Sequence, residues 1–262
     1  MATPESESFV RAFARGLSVI EVMGQASGYQ TIAQIAQASE LPRTVVRRLL
    51  FTLVELGFVK TDDSSYWLTP KVLRLGLTYL YTLPFWRQSQ LVLEELGTQI
   101  GQSCAIAVLD EAEIVYVQRF HTKRILAMSP STGTRLPAHA VSMGRVLMAG
   151  LADEELDAML GTGPLRRYTP QTITEVPKLR NEVLAARKLG YCWVDGELDE
   201  SICGLAVPVR DSQGAVVAAV NVSLISGQFN QQQAVATFLP LLKLAASRLR
   251  TSPSLPGGSL GL

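Results

Sequence analysis

The 262-residue sequence predicts an α+β protein of two domains, on three observations. Apolar residues recur at helical spacing through residues 8–57, interrupted by turn-forming residues. Two short aromatic and β-branched runs, 58–60 and 66–68, flank the polar stretch 61–65, which is a hairpin pattern. Beyond residue 102, strand-like and helix-like segments interleave. Three helices and a hairpin are the parts of a winged helix-turn-helix, and the mixed remainder needs a layered core of its own.

The first helix starts near Ser8, with Phe9, Phe13, Leu17 and Ile20 forming the expected buried stripe. In the second, Thr31 caps and Gln34 stands at the capping-box position, while Ile32, Ile35 and Ala36 face inward. Residues 39–42 make the turn, since Pro42 opens a helix more readily than it continues one. The third helix spans 42–56 with Val45, Leu49, Leu53 and Leu56 as its buried stripe, and Gly57 supplies the left-handed cap. Residues 71–81 and 85–100 read as linker helices separated by Pro84. Strands are expected at 104–109, 114–119, 125–128, 205–210 and 216–224, and helices at 142–149, 153–160, 176–189 and 231–250. The expected domains are therefore 8–70 and 102–250, joined through 71–101; the Ser/Pro/Gly-rich tail 251–262 is expected to be disordered.

Composition excludes several classes. Hydrophobic residues make up 47% of the chain, enough for a core and too many for a disordered protein. Lys+Arg is 24 against Asp+Glu 23, so any affinity for nucleic acid must come from local placement rather than global charge. Cys104, Cys192 and Cys203 form neither a C-x-x-C pair nor an even set, which fits a reducing cytoplasm and speaks against a disulfide framework. The polar, acidic start lacks a signal-peptide pattern and no apolar run is long enough to span a bilayer, so no membrane partner is expected. His121 and His139 are the only histidines; a mixed metal site would have to draw on His139 with Asp195 or Glu197, and no metal or other cofactor is expected.

The chemistry concentrates on the third helix. Arg43 and Arg47 stand four residues apart on one face, flanked by Thr44 and Arg48. Arginine forks onto guanine or phosphate and threonine meets a thymine methyl, so this face suits a major groove, with Lys60 of the hairpin on the backbone. A lone basic helix is more often a solvated surface. Here the capped helix before it and the hairpin after it favour reading double-stranded DNA.

Four stretches then carry a resemblance: 13–20 (FARGLSVI), the helix-turn-helix, GTRLPAHA (133–140) with SMGR (142–145), and LAVPV (205–209) with AAVNVS (218–223). In that order they resemble the IclR family of bacterial transcription regulators over about residues 8–250. Within it they are most similar to the branch controlling aromatic-acid catabolism (protocatechuate, 4-hydroxybenzoate and β-ketoadipate pathways). The resemblance implies a GAF-like effector-binding and oligomerisation domain, a homodimer or dimer of dimers, and a palindromic operator with half-sites roughly 34 Å apart. It admits RNA polymerase as a further partner.

It also implies pocket positions for a small aromatic or carboxylic-acid effector: Leu126 and Met128 as apolar lining, Ser142 and Met143 at a helix start, and Asn221 and Ser223 on one strand face. Asp195, Cys203 and Gly204 complete the set. The branch commonly carries arginine and serine where this chain has Cys203 and Gly204, which disfavours a dianionic effector and favours a larger or less charged aromatic. The alternative function is an enzyme acting on a small aromatic acid with an accessory DNA-binding domain. No Ser/His/Asp order, phosphate loop or dinucleotide fingerprint supports it, and no catalytic residue is assigned.

Overall fold

The computed structural model describes residues 8–26, 28–121, 131–161 and 163–250, and the chain divides into two compact units between Thr82 and Leu83. The expected tail, and the strand expected at 125–128, lie outside the described residues.

The N-terminal unit comprises α1 (Arg11–Gln25), α2 (Ile32–Ala38), α3 (Arg43–Glu55), the antiparallel pair β1 (Val59–Thr61) and β2 (Tyr66–Leu68), and α4 (Leu73–Thr82). The capping box forms: Thr31 Oγ1 accepts from Gln34 N–H, and Gln34 Oε1 accepts from Thr31 N–H at 2.8 Å. Gly57 ends α3 at φ 74°, and Lys71 Nζ donates to the Leu56 carbonyl at 2.7 Å, neutralising the helix's negative end.

The helices are present, but two of them turn a different face inward. In α1 the buried residues are Val19 and Met23, while Phe13 is 67% and Leu17 is 41% exposed. In α3 they are Val46, Leu50 and Leu53; Leu56 is exposed and Val45 and Leu49 lie half-buried. Both helices carry apolar residues on more than one side, and spacing alone does not say which side meets a neighbour. The choice is made by mutual fit, as Val19, Met23, Ile35, Val46, Leu50 and Val59 close around one another.

The C-terminal unit opens with α5 (Trp86–Ile100) and builds one antiparallel sheet. Its strands are β3 (Ser103–Asp110), β4 (Glu113–Phe120), β5 (Arg135–Pro137), β6 (Cys192–Asp195), β7 (Ile202–Arg210) and β8 (Val216–Ile225), in the order β5-β4-β3-β8-β7-β6. The helices are α6 (Ser142–Met148), α7 (Asp153–Leu160), α8 (Val176–Leu189) and α9 (Gln231–Arg248). α5 and α9 pack on one face of the sheet. At Gly97 in α5 a methyl group would sit 1.9 Å from the Phe120 ring, so only glycine admits this approach. α5, expected as a linker, thus buries Val92, Leu93 and Leu96 in the C-terminal core. α6 packs on the other face, where Ala105, Ala107, Ala206 and Ala219 leave room beneath it. Small side chains on that face, under a helix, create the space for a cavity. This is a GAF-like arrangement: an antiparallel sheet with helices on both sides.

Candidate functional site

In the N-terminal unit Arg43, Thr44, Arg47 and Arg48 are all exposed on α3, and Lys60 is exposed on β1. Their arc is opposite the buried Val46, Leu50 and Leu53. Phe51, one turn beyond Arg47, shares the arc at 67% exposure and was not singled out by sequence. An exposed phenyl beside arginines matches the apolar contact a thymine methyl offers. The first turn of α3 contains no acidic residue, so arginine charge gathers at the positive end of the helix dipole. That is unfavourable for the free helix and favourable for a helix meeting phosphate. The hairpin is held by Asp62, which accepts from the Ser64 and Ser65 N–H groups, and by the Tyr29–Trp67 edge contact at 4.7 Å.

The C-terminal unit holds a cavity of about 320 Å³ between the sheet and α6. Its floor consists of cross-strand rows. Arg119 of β4 pairs with Ala105 of β3, which pairs with Asn221 of β8. In the next row Ser103 pairs with Ser223, Ser223 with Gly204, and Gly204 with Val194. A bulge after Ile106 keeps Tyr116 on the cavity face, opposite Ala107. The roof is Ser142 and Met143 at the start of α6 and the β6–β7 loop from Glu197 to Asp199. α6 packs directly on the Ala138–Ala140 turn before it because residue 144 is glycine: a methyl group there would lie 2.0 Å from the Ala138 carbonyl oxygen.

The cavity's charges are unevenly satisfied. Arg119 Nε and Nη1 and Asn221 Oδ1 are buried without a hydrogen-bond partner among the described residues, although almost all such atoms in proteins have one. The guanidinium lies 5.0 Å from the Tyr116 ring, and burial pushes its pKa down from the usual arginine value. Arg145, by contrast, is fully buried and paired: Nη2 lies 2.6 Å from Glu197 Oε2 and Nε donates to the His139 carbonyl. Asp199 accepts from the Ser201 hydroxyl and N–H, which hold its pKa below the usual carboxylate value.

Of the residues expected at the pocket, Ser142, Met143, Cys203, Gly204, Asn221 and Ser223 line it. Leu126 and Met128 lie outside the described residues. Asp195 does not line it: strand alternation turns Val194 inward and Asp195 outward, where its carboxylate accepts from the Ser226 hydroxyl at 2.7 Å. Cys203 shares the Asp195 and Leu224 register, and its thiol points to the Leu224 carbonyl, away from the Gly204 face. Position 203 therefore does not set the cavity's charge. Arg119 does, on a face it shares with Tyr116 and Ser103; all three were missed by sequence, and strand alternation alone would not find them, because the bulge brings Tyr116 and Arg119, three residues apart, to one face. His139 Nε2 faces the Arg166 carbonyl, Glu197 faces Arg145 and Asp195 faces Ser226, so the three groups of the considered mixed metal site are separately engaged.

Arginines displayed for a nucleic-acid backbone and a cavity sized for a small molecule, carried on one chain, are the two halves of a ligand-responsive transcription regulator. The family is explicit in the sequence comparisons. The IclR helix-turn-helix domain matches residues 12–63 and the bacterial transcriptional regulator IclR C-terminal domain matches 77–251, so this chain belongs to the IclR family. It is 39% identical over 241 residues to the Pca regulon regulatory protein of Pseudomonas putida, covering 92% of this chain and 82% of that protein. It is 34% identical over 250 residues to the p-hydroxybenzoate hydroxylase transcriptional activator of Acinetobacter baylyi, covering 94% and 92%. The crystal structure of an IclR homolog from Microbacterium hydrocarbonoxydans complexed with 4-hydroxybenzoate superposes with a TM-score of 0.78 at 27% identity, covering 91% and 97%. The protein is a DNA-binding, effector-responsive transcription regulator.

Proposed function

We propose that the effector is an aromatic acid carrying one carboxylate and a hydroxyl, and that Arg119 is its anchor. The observation carrying this is the row Arg119–Ala105–Asn221, whose ends are buried polar atoms without partners among the described residues. A carboxylate on Arg119 satisfies the guanidinium, and its ring lies over Ala105 beside Tyr116. A hydroxyl at the far end meets Asn221, Ser223 and Ser103. The ionised Asp199 at the opposite wall opposes a second carboxylate, which supplies a physical reason for the expected preference against dianions. The relative named for p-hydroxybenzoate hydroxylase and the homolog holding 4-hydroxybenzoate support the same chemistry.

The remaining roles follow. Arg43, Thr44, Arg47, Arg48 and Lys60 contact the operator, aided by Phe51. The protein works as a homodimer or dimer of dimers on a palindrome: Val10, Phe13 and Leu17 leave an apolar face of α1 exposed, and α4 buries none of Leu73, Leu77 or Tyr81. It acts in the cytoplasm, RNA polymerase being a further partner, and it is not an enzyme; burial holds the Cys203 thiol up to about 12, far from a thiolate nucleophile. The effector changes DNA affinity only by binding two arrangements of the protein unequally.

The test is a thermal-shift and calorimetric titration with 4-hydroxybenzoate, benzoate and adipate, alongside binding to an operator selected from random DNA. 4-Hydroxybenzoate is expected to bind most tightly, to survive incubation unchanged and to shift operator affinity. Arg119→Met should weaken it roughly ten- to hundredfold, the 1.5–3 kcal/mol of a hydrogen bond to a charged group. Tighter binding of adipate, or an unaltered Arg119→Met titration, defeats the assignment.

A further inference from the structure

The Arg145–Glu197 pair is a second, separate feature of the cavity. Arg145 is 2% exposed, on α6, and its partner lies on the β6–β7 loop, 52 residues away. The same Glu197 oxygen accepts from the Ile173 N–H at 3.0 Å. The Glu197 carbonyl accepts from the Thr172 hydroxyl at 2.6 Å, and the Gly196 carbonyl from the Thr169 hydroxyl at 2.6 Å. Three segments that line the chamber, the 3₁₀ turn Ala138–Ala140, α6 and the loop, are thus tied at one point, with the 169–173 stretch behind them. The loop's next two residues, Leu198 and Asp199, form part of the cavity wall. Taking two charges out of water is costly, and an apolar pair of similar volume is often as stable. Such a pair is therefore poorly explained by stability alone, and it sits where it decides the position of the wall.

We infer that Arg145 and Glu197 are positioning residues: they clasp residues 196–199 over the cavity and set how long the effector is retained. This rests on the reading of the cavity as an aromatic-acid site. Glu197 lines the chamber beside Leu198 and Asp199, but its carboxylate is committed to Arg145 and the Ile173 N–H, so it acts by holding that wall, and the anchoring contacts remain those of Arg119. Without the clasp the loop keeps the Thr169 and Thr172 hydroxyl bonds to the Gly196 and Glu197 carbonyls, while the stretch beyond them, Leu198 to Ser201, gains freedom to move from the chamber.

The experiment pairs Arg145→Met with Glu197→Leu in the full chain, removing both charges while keeping the volume. 4-Hydroxybenzoate dissociation is followed by stopped flow, and amide exchange is read by mass spectrometry over residues 196–202. Affinity should fall by about tenfold, the scale on which outer-shell contacts tune a bound group, mainly through faster dissociation. Exchange should rise in 196–202 and not in the β3–β8 core, and operator affinity without effector should be unchanged. If this pair does not fold, Thr172→Val, which removes the hydroxyl bond to the Glu197 carbonyl and the acceptor of the Tyr168 and Thr169 N–H groups, is expected to move the same two readouts in the same direction. Effector retention within twofold of wild type in a folded variant, or unchanged exchange at 196–202, overturns the clasp. If wild-type protein binds no aromatic acid, the reading of the effector fails instead, and the exchange measurement alone decides the clasp.

Discussion

The two units treat arginine in opposite ways. The N-terminal unit displays Arg43, Arg47 and Arg48 on one helix, exposed to solvent. The C-terminal unit buries Arg145 against Glu197 and sinks the Nε and Nη1 of Arg119 into a chamber floor. Exposed charges on a rigid helix cost little to maintain and act on a large, highly charged partner through many weak contacts. A buried guanidinium without a carboxylate is expensive, and it is tolerated where a small ligand supplies the missing charge. The difference teaches that affinity for DNA is spread over a surface, while affinity for the effector is concentrated in a few atoms.

That contrast can be broken by substitution. Arg145→Ala leaves Glu197 buried and unpaired and should cost the C-terminal unit about 3–5 kcal/mol. Denaturant unfolding followed by hydrogen exchange should show the loss there and leave α1–α3 untouched. Leu50→Ala opens a cavity in the small N-terminal core and should cost that unit about 2–5 kcal/mol, abolishing operator binding while effector titrations continue. Coincident loss of both functions in either variant would erase the distinction between the units. Arg47→Ala should weaken operator binding by about 1–3 kcal/mol without moving the melting temperature, as a gel-shift series would show. The mildest change sharpens the comparison: Arg43→Asp should stabilise the N-terminal unit by about 0.3–1 kcal/mol, by complementing the helix dipole, while reducing DNA affinity. A melting temperature that falls instead would mean Arg43 has a structural partner.

The same contrast explains what was legible beforehand. The capping box of Thr31 and Gln34, the glycine after α3 and the hairpin turn around Asp62 depend on residues within three or four positions of each other, and each appears where its spacing predicts. The arginine face of α3 was legible for the same reason. The buried faces of α1 and α3 were not, because choosing between two apolar sides needs the neighbouring helix. Asp195 was misplaced by one step of strand alternation, a step that only the β6–β7 register reveals. Arg119 went unnoticed because nothing near it in sequence marks it; it matters through Asn221, just over a hundred positions away.

The short strands at 135–137 and 192–195 aside, the sequence by itself determined most elements, their local caps and turns, the charge of the reading helix and the family. These depend on backbone preference and short-range periodicity, which few neighbouring residues settle. Tertiary structure alone decided which helix faces are buried, which side chains share a cross-strand row, and where Arg145 finds its carboxylate. Those follow from strand register and mutual packing between distant segments, where a shift of one residue turns a side chain from the cavity to the opposite face.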